Sequence, residues 1–479
     1  MGNNSSKYSL SLPLPGLIAY NTVFRVVTRI LGALFSMATY AILARYFGAE
    51  IFGGFIIVVT YGVFFALAMD FGLYLTTVRD ISKEDERAEE ILASNAGLRM
   101  TAGIFLLFVL AVLASVLPYA KEVRWGLAIF ALSVFIDSIA NSYTPILQAK
   151  MRLDFIGIID VVNRLVVFSL VYLLSRSGGE FLLVLSVFVV ANLVNLALSL
   201  YFARRFVKIK FLYDLRAWGQ TLKKSFPLWL VLAIGTIHFR VDTLILSFLK
   251  GSSDVGIYGL AFKVLELVLI LPALFLASVF PLMSEYAKSR KEELSTLMQK
   301  SFEVLLMLSL PAIGGTLVLA PKLISFLGGE QYQPASLALK ILILATLFSY
   351  LNGLFVHLII SLELQKRLLL ICIVTVTVNV ALNFILIPRY SYNGAAVATV
   401  ISEAAGMFFS LLVAKSGYSF KLRFDFVPKT VLAVGLMSLG LILFNLNLFA
   451  HIALGVVIYI TFLFVLRLIT KEEILSFVR

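Results

Sequence analysis

The chain is divided into apolar segments that are each long enough to cross a lipid bilayer, and this feature limits its fold more than any other. A crossing needs about 20 apolar residues. Breaks at charged residues and at Gly or Pro predict fourteen spans, near residues 17–44, 51–77, 97–117, 125–148, 156–175, 181–203, 226–249, 255–283, 302–321, 336–361, 368–388, 393–414, 430–448 and 451–468. Only 14% of the 479 residues are charged, against about a quarter in soluble proteins. The sequence therefore predicts an all-α polytopic membrane protein.

The distribution of Lys and Arg favours an even number of spans with both termini in the cytoplasm. In this topology 27 of the 40 basic residues fall in cytoplasmic segments, Arg99 among them, and seven fall in outer loops. Such a bias is what the positive-inside rule expects. The remaining six lie within spans: Arg25, Arg29, Arg164, Arg240, Lys263 and Lys340. The net charge of +13 thus reflects membrane topology and does not predict a nucleic-acid partner. We expect a location in the cytoplasmic (plasma) membrane.

A low-resolution internal repeat predicts two equivalent halves. Gly48, Gly53 and Phe55 follow the first span, and Gly251, Gly256 and Tyr258 recur 203 residues later. Six spans return the chain to the same side of the membrane, so the two repeats would run parallel. The predicted organisation is an N-terminal six-helix lobe at 1–203, a basic cytoplasmic linker at 204–225, a C-terminal six-helix lobe at 226–416, and two further helices at 417–479.

The same sequence argues against an enzyme. It has one Cys and three scattered His residues, which give no metal-ligand spacing. No Gly-x-x-x-x-Gly-Lys-Ser/Thr motif is present, so direct use of ATP is not expected. The loops are too short for a soluble catalytic domain. We therefore predict no catalytic residue, no metal site and no cofactor apart from Na⁺ or H⁺ as a coupling ion.

Two arginines lie within the first apolar span. Arg25 and Arg29 are four residues apart, so a helix places both guanidinium groups on one face. An arginine at the centre of a membrane helix costs about 2.5–3.5 kcal/mol on insertion scales, so it normally faces water or a partner. One interpretation is a binding surface for a negatively charged group. The alternative is that both side chains extend to the cytoplasmic interface.

Other ionisable residues within or near spans are candidates for ion coupling or gating. They are Asp70, Asp160, Arg164, His238, Asp242 and Glu266. Asp160 and Arg164 have the spacing of a helix ion pair. His238 and Asp242 share a helix face, and His238 titrates near physiological pH.

Short motifs along almost the entire chain resemble one transporter family. They are Gly48–Phe55, Asp70–Leu73, Leu147–Arg152, Ser225–Leu228, Asp242–Leu246, Asp254–Tyr258, Phe280–Pro281, Asn383–Pro388 and Gly394–Ala396. In order and spacing they resemble the polysaccharide (O-antigen-repeat) flippase family of the multidrug/oligosaccharidyl-lipid/polysaccharide exporter superfamily. The resemblance implies two six-helix lobes around a central cavity, with the last two helices packed outside.

The resemblance also implies a function. We expect translocation of an undecaprenyl- or dolichyl-pyrophosphate-linked oligosaccharide from the cytoplasmic to the outer leaflet by alternating access, with coupling to an ion as in an antiporter. Membrane lipids and glycan assembly proteins are the other expected partners. Arginine binds phosphate oxygens bidentately, so Arg25, Arg29, Arg240 and Lys263 are the candidates for the anionic head group. Arg240 could instead pair with Asp242, and Lys263 with Glu266.

Two other functions compete with this one. A cation-coupled multidrug exporter of the same superfamily would typically have twelve helices and cationic substrates, which fit the intramembrane arginines poorly. A membrane glycosyltransferase or glycan polymerase would need an acidic metal-binding motif or a large outer loop carrying catalytic acids.

Overall fold

The computed structural model describes residues 14–468, apart from the side chains of residues 14, 15, 17–19, 22 and 289. Both chain termini, and therefore their predicted cytoplasmic location, lie outside the described residues. This part of the chain contains fifteen α-helices and no strand. The helices are α1 (Leu14–Asp70), α2 (Leu73–Lys83), α3 (Ala88–Val116), α4 (Lys121–Ala149), α5 (Leu153–Ser177), α6 (Phe181–Ala203), α7 (Leu215–Leu249), α8 (Ser252–Val268), α9 (Ile270–Ser289), α10 (Lys291–Gly328), α11 (Ala335–Leu342), α12 (Ala345–Ser361), α13 (Gln365–Gly417), α14 (Val427–Leu443) and α15 (Leu448–Val465).

By length and composition, eleven helical segments of the described chain could cross a membrane, and α14 is a shorter apolar helix. Helices α1 and α13 are each long enough for two crossings. Helix α1 has 57 residues and α13 has 53, or about 80 Å each at 1.5 Å per residue, against a hydrocarbon core of about 30 Å. Each is broken by one non-helical residue, Gly48 in α1 and Ser391 in α13. Each therefore consists of two straight helical parts.

Three predicted spans correspond to helices with other breaks or ends, although the eighth and the tenth each remain one continuous apolar segment. The eighth span is two helices, α8 and α9, that meet at Leu269. Pro272, in the first turn of α9, has no N–H to continue a helix from α8. The tenth span is also two helices, α11 and α12. The seventh begins at Leu215, eleven residues before the predicted start at 226, because a polar first turn precedes its apolar part.

The chain forms two compact units, Met1–Arg240 and Val241–Arg479. In the first unit, one buried apolar cluster joins α3, α4, α5 and the end of α6, and includes Leu92, Tyr143 and Phe155. In the second unit, a larger cluster joins α9, α10, α12 and α13, and includes Met298 and Phe355. Helices α14 and α15 pack on α10 through Met437 and Tyr459, and the Tyr459 hydroxyl donates to the Met307 carbonyl at 2.7 Å.

The basic segment between α6 and α7 is packed against the first unit and is not a loose tether. We call residues 204–214 the strap. The Leu212 N–H donates to the Ala93 carbonyl at 3.0 Å, and the Lys208 N–H donates to Glu89 Oε1 at 3.0 Å. The Tyr143 hydroxyl donates to the Lys210 carbonyl at 2.9 Å. These bonds connect the strap to α3 and α4.

The predicted internal repeat has a counterpart in the backbone. Gly48 has φ 72° and ψ 177°, and Gly251 has φ 95° and ψ −179°. This conformation is open to glycine at little cost. The aromatic residues that follow at the same distance, Phe55 and Tyr258, are both fully buried. The same turn therefore begins the second straight part of α1 and helix α8.

Candidate functional site

Arg25 and Arg29 are both exposed, on the side of α1 away from its apolar surface. An α-helix rotates by about 100° per residue. Viewed along the helix axis, Arg29, Gly32 and Ser36 therefore lie within about 40° of Arg25. We call these four residues the arginine face. The large exposed apolar side chains lie about 140° to 200° from Arg25 at the same rotation per residue. They are Val23, Val27, Ile30 and Leu34, each at least 45% exposed.

This separation distinguishes an apolar side of α1 from a charged side. The exposed apolar side is the one suited to lipid. The arginine face adjoins α5, because Arg164 of α5 contacts Gly32 and Ser36. A binding surface for an anionic group at Arg25 and Arg29 stays a prediction, as does the extension of both side chains to the cytoplasmic interface.

Arg164 continues the charged surface from α1 to α5. Its Nε lies 3.0 Å from Asp160 Oδ1, and its Nη1 donates to Ser36 Oγ at 3.0 Å and to the Gly32 carbonyl at 3.4 Å. The predicted helix ion pair is present, and both side chains are about 40% exposed (38% and 46%). Their part in gating or coupling stays a prediction.

A polar cavity of about 390 Å³ lies in the first unit, lined among others by Asp70, Tyr74, Arg99 and Asp137. At its wall, Arg99 Nη2 lies 2.6 Å from Asp70 Oδ1. Arg99 Nη1 also donates to Ser138 Oγ at 3.0 Å. Three helices, α1, α3 and α4, are connected at this point.

Arg99 is the residue that the sequence interpretation placed wrongly. We counted it among the basic residues of the cytoplasmic segments, but its side chain is 1% exposed and its charge is paired inside the helix bundle. Periodicity along α3 could not reveal this, because the partner Asp70 is 29 residues away on another helix. The only available signal was that both residues are ionisable and lie near apolar spans.

Asp137 of α4 lies on the same cavity. Its carboxylate accepts hydrogen bonds from Asn195 Nδ2 at 2.7 Å and from Asn141 Nδ2 at 2.9 Å. Asp137 therefore connects α4 with α6 at the cavity that Asp70 and Arg99 also line.

Tyr74 of α2 also lines this cavity. Its hydroxyl donates to Gln148 Oε1 at 2.9 Å, and its N–H donates to Asp70 Oδ1 at 3.3 Å. The cavity is therefore bordered by charged and neutral polar side chains of α1, α2, α3 and α4.

Asp242 is the main buried acid of the second unit. It is 1% exposed, and its carboxylate accepts hydrogen bonds from the Thr243 N–H at 2.7 Å and from the hydroxyl groups of Tyr258 and Thr399. These bonds connect α7 with α8 and with the second straight part of α13. Asp242 therefore has at least a structural role.

The remaining predicted residues are more dispersed. Lys263 Nζ and Glu266 Oε2 form an ion pair at 2.9 Å, as one of the two interpretations expected. Arg240 is half-buried and lines a second, mostly apolar cavity of about 350 Å³ beside Val63 and Phe239. His238 is half-buried, and its ring centroid lies 5.4 Å from that of Phe239.

Comparison with protein families gives the wider context of this arrangement. The model of a family described as "Polysaccharide biosynthesis protein" matches residues 18–287, which is more than half of the chain. This chain is a member of the polysaccharide biosynthesis protein family. A second family model, MatE, matches residues 227–385 of this family member.

Individual relatives extend over most of the chain. The family member is 23% identical over 464 residues to the probable low-salt glycan biosynthesis flippase Agl15 of Haloferax volcanii, covering 93% of this chain and 95% of that protein. It is 22% identical to a putative O-antigen transporter of Shigella flexneri, over 80% of this chain and 94% of the relative. A further match, to the probable flippase AglR of Haloferax volcanii, is 27% identical over 40% of this chain and spans 38% of AglR. These relatives are named as transporters and flippases, not as enzymes.

Solved structures establish the fold. The lipid II flippase MurJ, in an inward closed conformation, superposes with a TM-score of 0.73 at 16% identity, covering 92% of this chain and 98% of MurJ. An inward-facing multidrug resistance MATE transporter gives a TM-score of 0.67 at 13% identity, over 82% of this chain and 97% of the transporter. The all-helical membrane fold of this family member is therefore of the MurJ and MATE type.

Proposed function

We propose that this protein is a flippase that moves a lipid-pyrophosphate-linked oligosaccharide from the cytoplasmic to the outer leaflet of the plasma membrane. The observation that carries the proposal is the arginine face of α1, which lies opposite the apolar side of the helix and contacts Arg164 of α5. The names of the full-length relatives, a glycan biosynthesis flippase and an O-antigen transporter, support the same substrate class.

The substrate explains why cations are needed at this depth. A pyrophosphate group with its glycan must cross a layer in which each unsatisfied polar group costs several kcal/mol. Arg25 and Arg29 offer planar donor groups to the phosphate oxygens, and each charge-assisted hydrogen bond contributes about 1.5–3 kcal/mol. The asparagines and acids around Asp137 would contact water and sugar hydroxyl groups. Arg240 and Lys263 are further candidates for the anionic head group.

We further propose fourteen membrane spans with both termini in the cytoplasm. Dividing α1 at Gly48 and α13 at Ser391, and including α14, adds three crossings to the eleven apolar segments. The proposed plan keeps two six-helix lobes, 1–203 and 226–416, the basic segment 204–225 and the two helices of 417–479. Transport would proceed by alternating access.

Coupling to Na⁺ or H⁺ is also proposed, with Asp70, Asp160, Arg164, His238, Asp242 and Glu266 as the residues to test. The MatE match and the MATE-type fold support an ion-coupled mechanism. The carrier would be an undecaprenyl or dolichyl pyrophosphate. Proteins that assemble the glycan are the expected partners.

A transport assay tests the proposal. The protein is reconstituted in proteoliposomes with a polyprenyl-pyrophosphate-linked oligosaccharide that carries a fluorescent sugar, and loss of fluorescence to an external quencher reports translocation. The double variant Arg25→Gln/Arg29→Gln should lose more than about 90% of the rate, because the loss of one charge-assisted bond already corresponds to about tenfold. Arg176→Gln, at an exposed residue stacked on Tyr172, is the matched control and should retain the wild-type rate. Equal rates in all three proteins would overturn the proposal.

A multidrug exporter is the second candidate, because the MatE model matches residues 227–385. Under this function the same proteoliposomes would accumulate a lipophilic cation in an ion gradient, and Arg25→Gln/Arg29→Gln would not slow that accumulation. Our proposal expects no such accumulation.

A further inference from the structure

Two arginines share one exposed tyrosine at the end of α6. The Arg204 guanidinium carbon lies 4.6 Å from the centroid of the Tyr201 ring, and that of Arg205 lies 4.8 Å from it. Arg205 Nη2 also donates to the Tyr201 hydroxyl at 3.0 Å. Two positive charges therefore lie within 5 Å of the centre of one ring, and their combined potential favours an anion nearby.

The neighbouring arginine is already neutralised. Arg152, at the start of α5, binds Asp154 through two nitrogens, at 2.9 and 2.7 Å, and lies over the Phe155 ring at 3.7 Å. Arg204 is exposed, and within residues 14–468 no ion pair joins it to a carboxylate. The positive charge available to a ligand is therefore that of Arg204, directly after the last residue of α6.

The surface of α6 shows what kind of anion fits there. The exposed apolar side chains of α6 include Leu183, Val190 and Leu193, each about half exposed (51%, 46% and 50%). At about 100° per residue, these residues, Tyr201 and Arg204 lie within a sector of about 80°. An apolar stripe of membrane length thus ends in an aromatic ring and a cationic group.

We propose that the end of α6 is a binding site for an anionic phospholipid of the cytoplasmic leaflet. The acyl chains would lie along Leu193, Val190 and Leu183, and the head-group phosphate would lie at Arg204 beside the Tyr201 ring, with the charge of Arg205 adding to the positive potential. Aromatic residues and juxtamembrane arginines are the side chains that favour this level of the bilayer. The apolar stripe favours a lipid over a free phosphate ion. The site is separate from the arginine face, because it lies on α6 and not on α1.

Native mass spectrometry of the purified full-length protein tests this proposal. Phosphatidylglycerol and phosphatidylcholine with identical acyl chains are titrated separately, and inorganic phosphate is added in a third arm. We expect wild-type protein to bind phosphatidylglycerol more tightly than phosphatidylcholine, and millimolar phosphate not to displace it. In Arg204→Gln/Arg205→Gln the affinity for phosphatidylglycerol should fall about tenfold or more, as a contribution of about 1 kcal/mol per arginine implies.

Two further variants separate the site from general charge effects. Arg216→Gln/Lys223→Gln removes two exposed positive charges at the start of α7 and should leave the preference unchanged. Tyr201→Leu keeps both arginines and the apolar stripe but removes the ring, so it should weaken binding less than the double arginine variant. Unchanged phosphatidylcholine binding and an unchanged elution volume show that each variant is folded. Equal loss in both double variants, no preference in the wild type, or displacement by inorganic phosphate would each overturn the proposal.

Discussion

The buried charge of Arg99 depends on Asp70. Its side chain is 1% exposed, whereas that of Asp70 is 31% exposed and borders the cavity. Removing the acid from such a pair leaves a cation that is almost fully buried without its compensating charge. The pair therefore stabilises the point where α1, α3 and α4 meet, whatever else it does in transport.

Asp70→Asn should accordingly destabilise the protein strongly. We expect a loss of about 2–4 kcal/mol in the free energy of unfolding, somewhat reduced because Asp70 is partly exposed. The measurement is an unfolding titration of the purified protein in mixed micelles.

Asp85→Asn is the matched control, because Asp85 is 62% exposed and pairs with Lys150 on the surface. It should cost less than about 1 kcal/mol. Similar losses in the two variants would contradict a special role for the buried pair.

The residues of the first unit show what sequence patterns can predict of a site. The four-residue spacing of Arg25 and Arg29 predicted a shared helix face, and Asp160 with Arg164 predicted an ion pair that is present. Such spacings depend only on helix geometry within one element. Arg99 with Asp70, and Asp137 with Asn195, join different helices. Their proximity is a consequence of tertiary packing, so no local pattern could predict it.

Among the elements, the strap differs most from its predicted form. A basic segment between two groups of helices was expected to be a linker, since its charges favour solvent. Its backbone instead forms hydrogen bonds with α3 and α4. Gly97 of α3 has no side chain, so the strap can lie close to this helix. A Cβ at Gly97 would lie 2.2 Å from the Leu212 carbonyl oxygen, which is far inside van der Waals contact.

Gly97→Ala should therefore displace the strap. A change from Gly to Ala within a helix normally stabilises the helix by up to about 1 kcal/mol. Any loosening of the strap must therefore come from the clash with Leu212. We expect trypsin to cleave the variant faster at Arg204, Arg205, Lys208 and Lys210, as shown by mapping the fragments.

Gly219→Ala is the control, because nothing lies within 4 Å of a Cβ at that position. Its cleavage should match the wild type. A Gly97→Ala protein that resists trypsin as well as the wild type does would show that the strap is held by other contacts.

The apolar segments predicted that the long helices exist better than they predicted the residues at which those helices begin and end. Hydropathy detects the part of a helix that lies in hydrocarbon, so the polar first turn of α7 and the division at Leu269 were missed. The break at Gly48 fell in a predicted outer turn, because glycine and the following acid already mark a turn in the sequence.

For the whole molecule, the central question is where the cations of the first helix point. Composition and hydropathy predicted an all-helical membrane protein, and the MurJ and MATE structures share that fold. The direction of the arginine face, however, follows from the exposure of its neighbours and from the contacts of Arg164. The account requires water on this face and lipid on the opposite one.

Cysteine accessibility tests this requirement most directly. Cys372 is the single cysteine of the chain, so a Cys372→Ser background accepts one new cysteine at a time. Membrane-embedded protein, open to both sides, is treated with a membrane-impermeant anionic methanethiosulfonate. Because a thiol in apolar surroundings keeps its proton and reacts poorly, Arg25→Cys and Arg29→Cys should be modified at least about tenfold faster than Val27→Cys and Leu34→Cys. Faster modification at 27 and 34, or none at 25 and 29, would contradict a water-filled, anion-binding cavity bordered by the first helix.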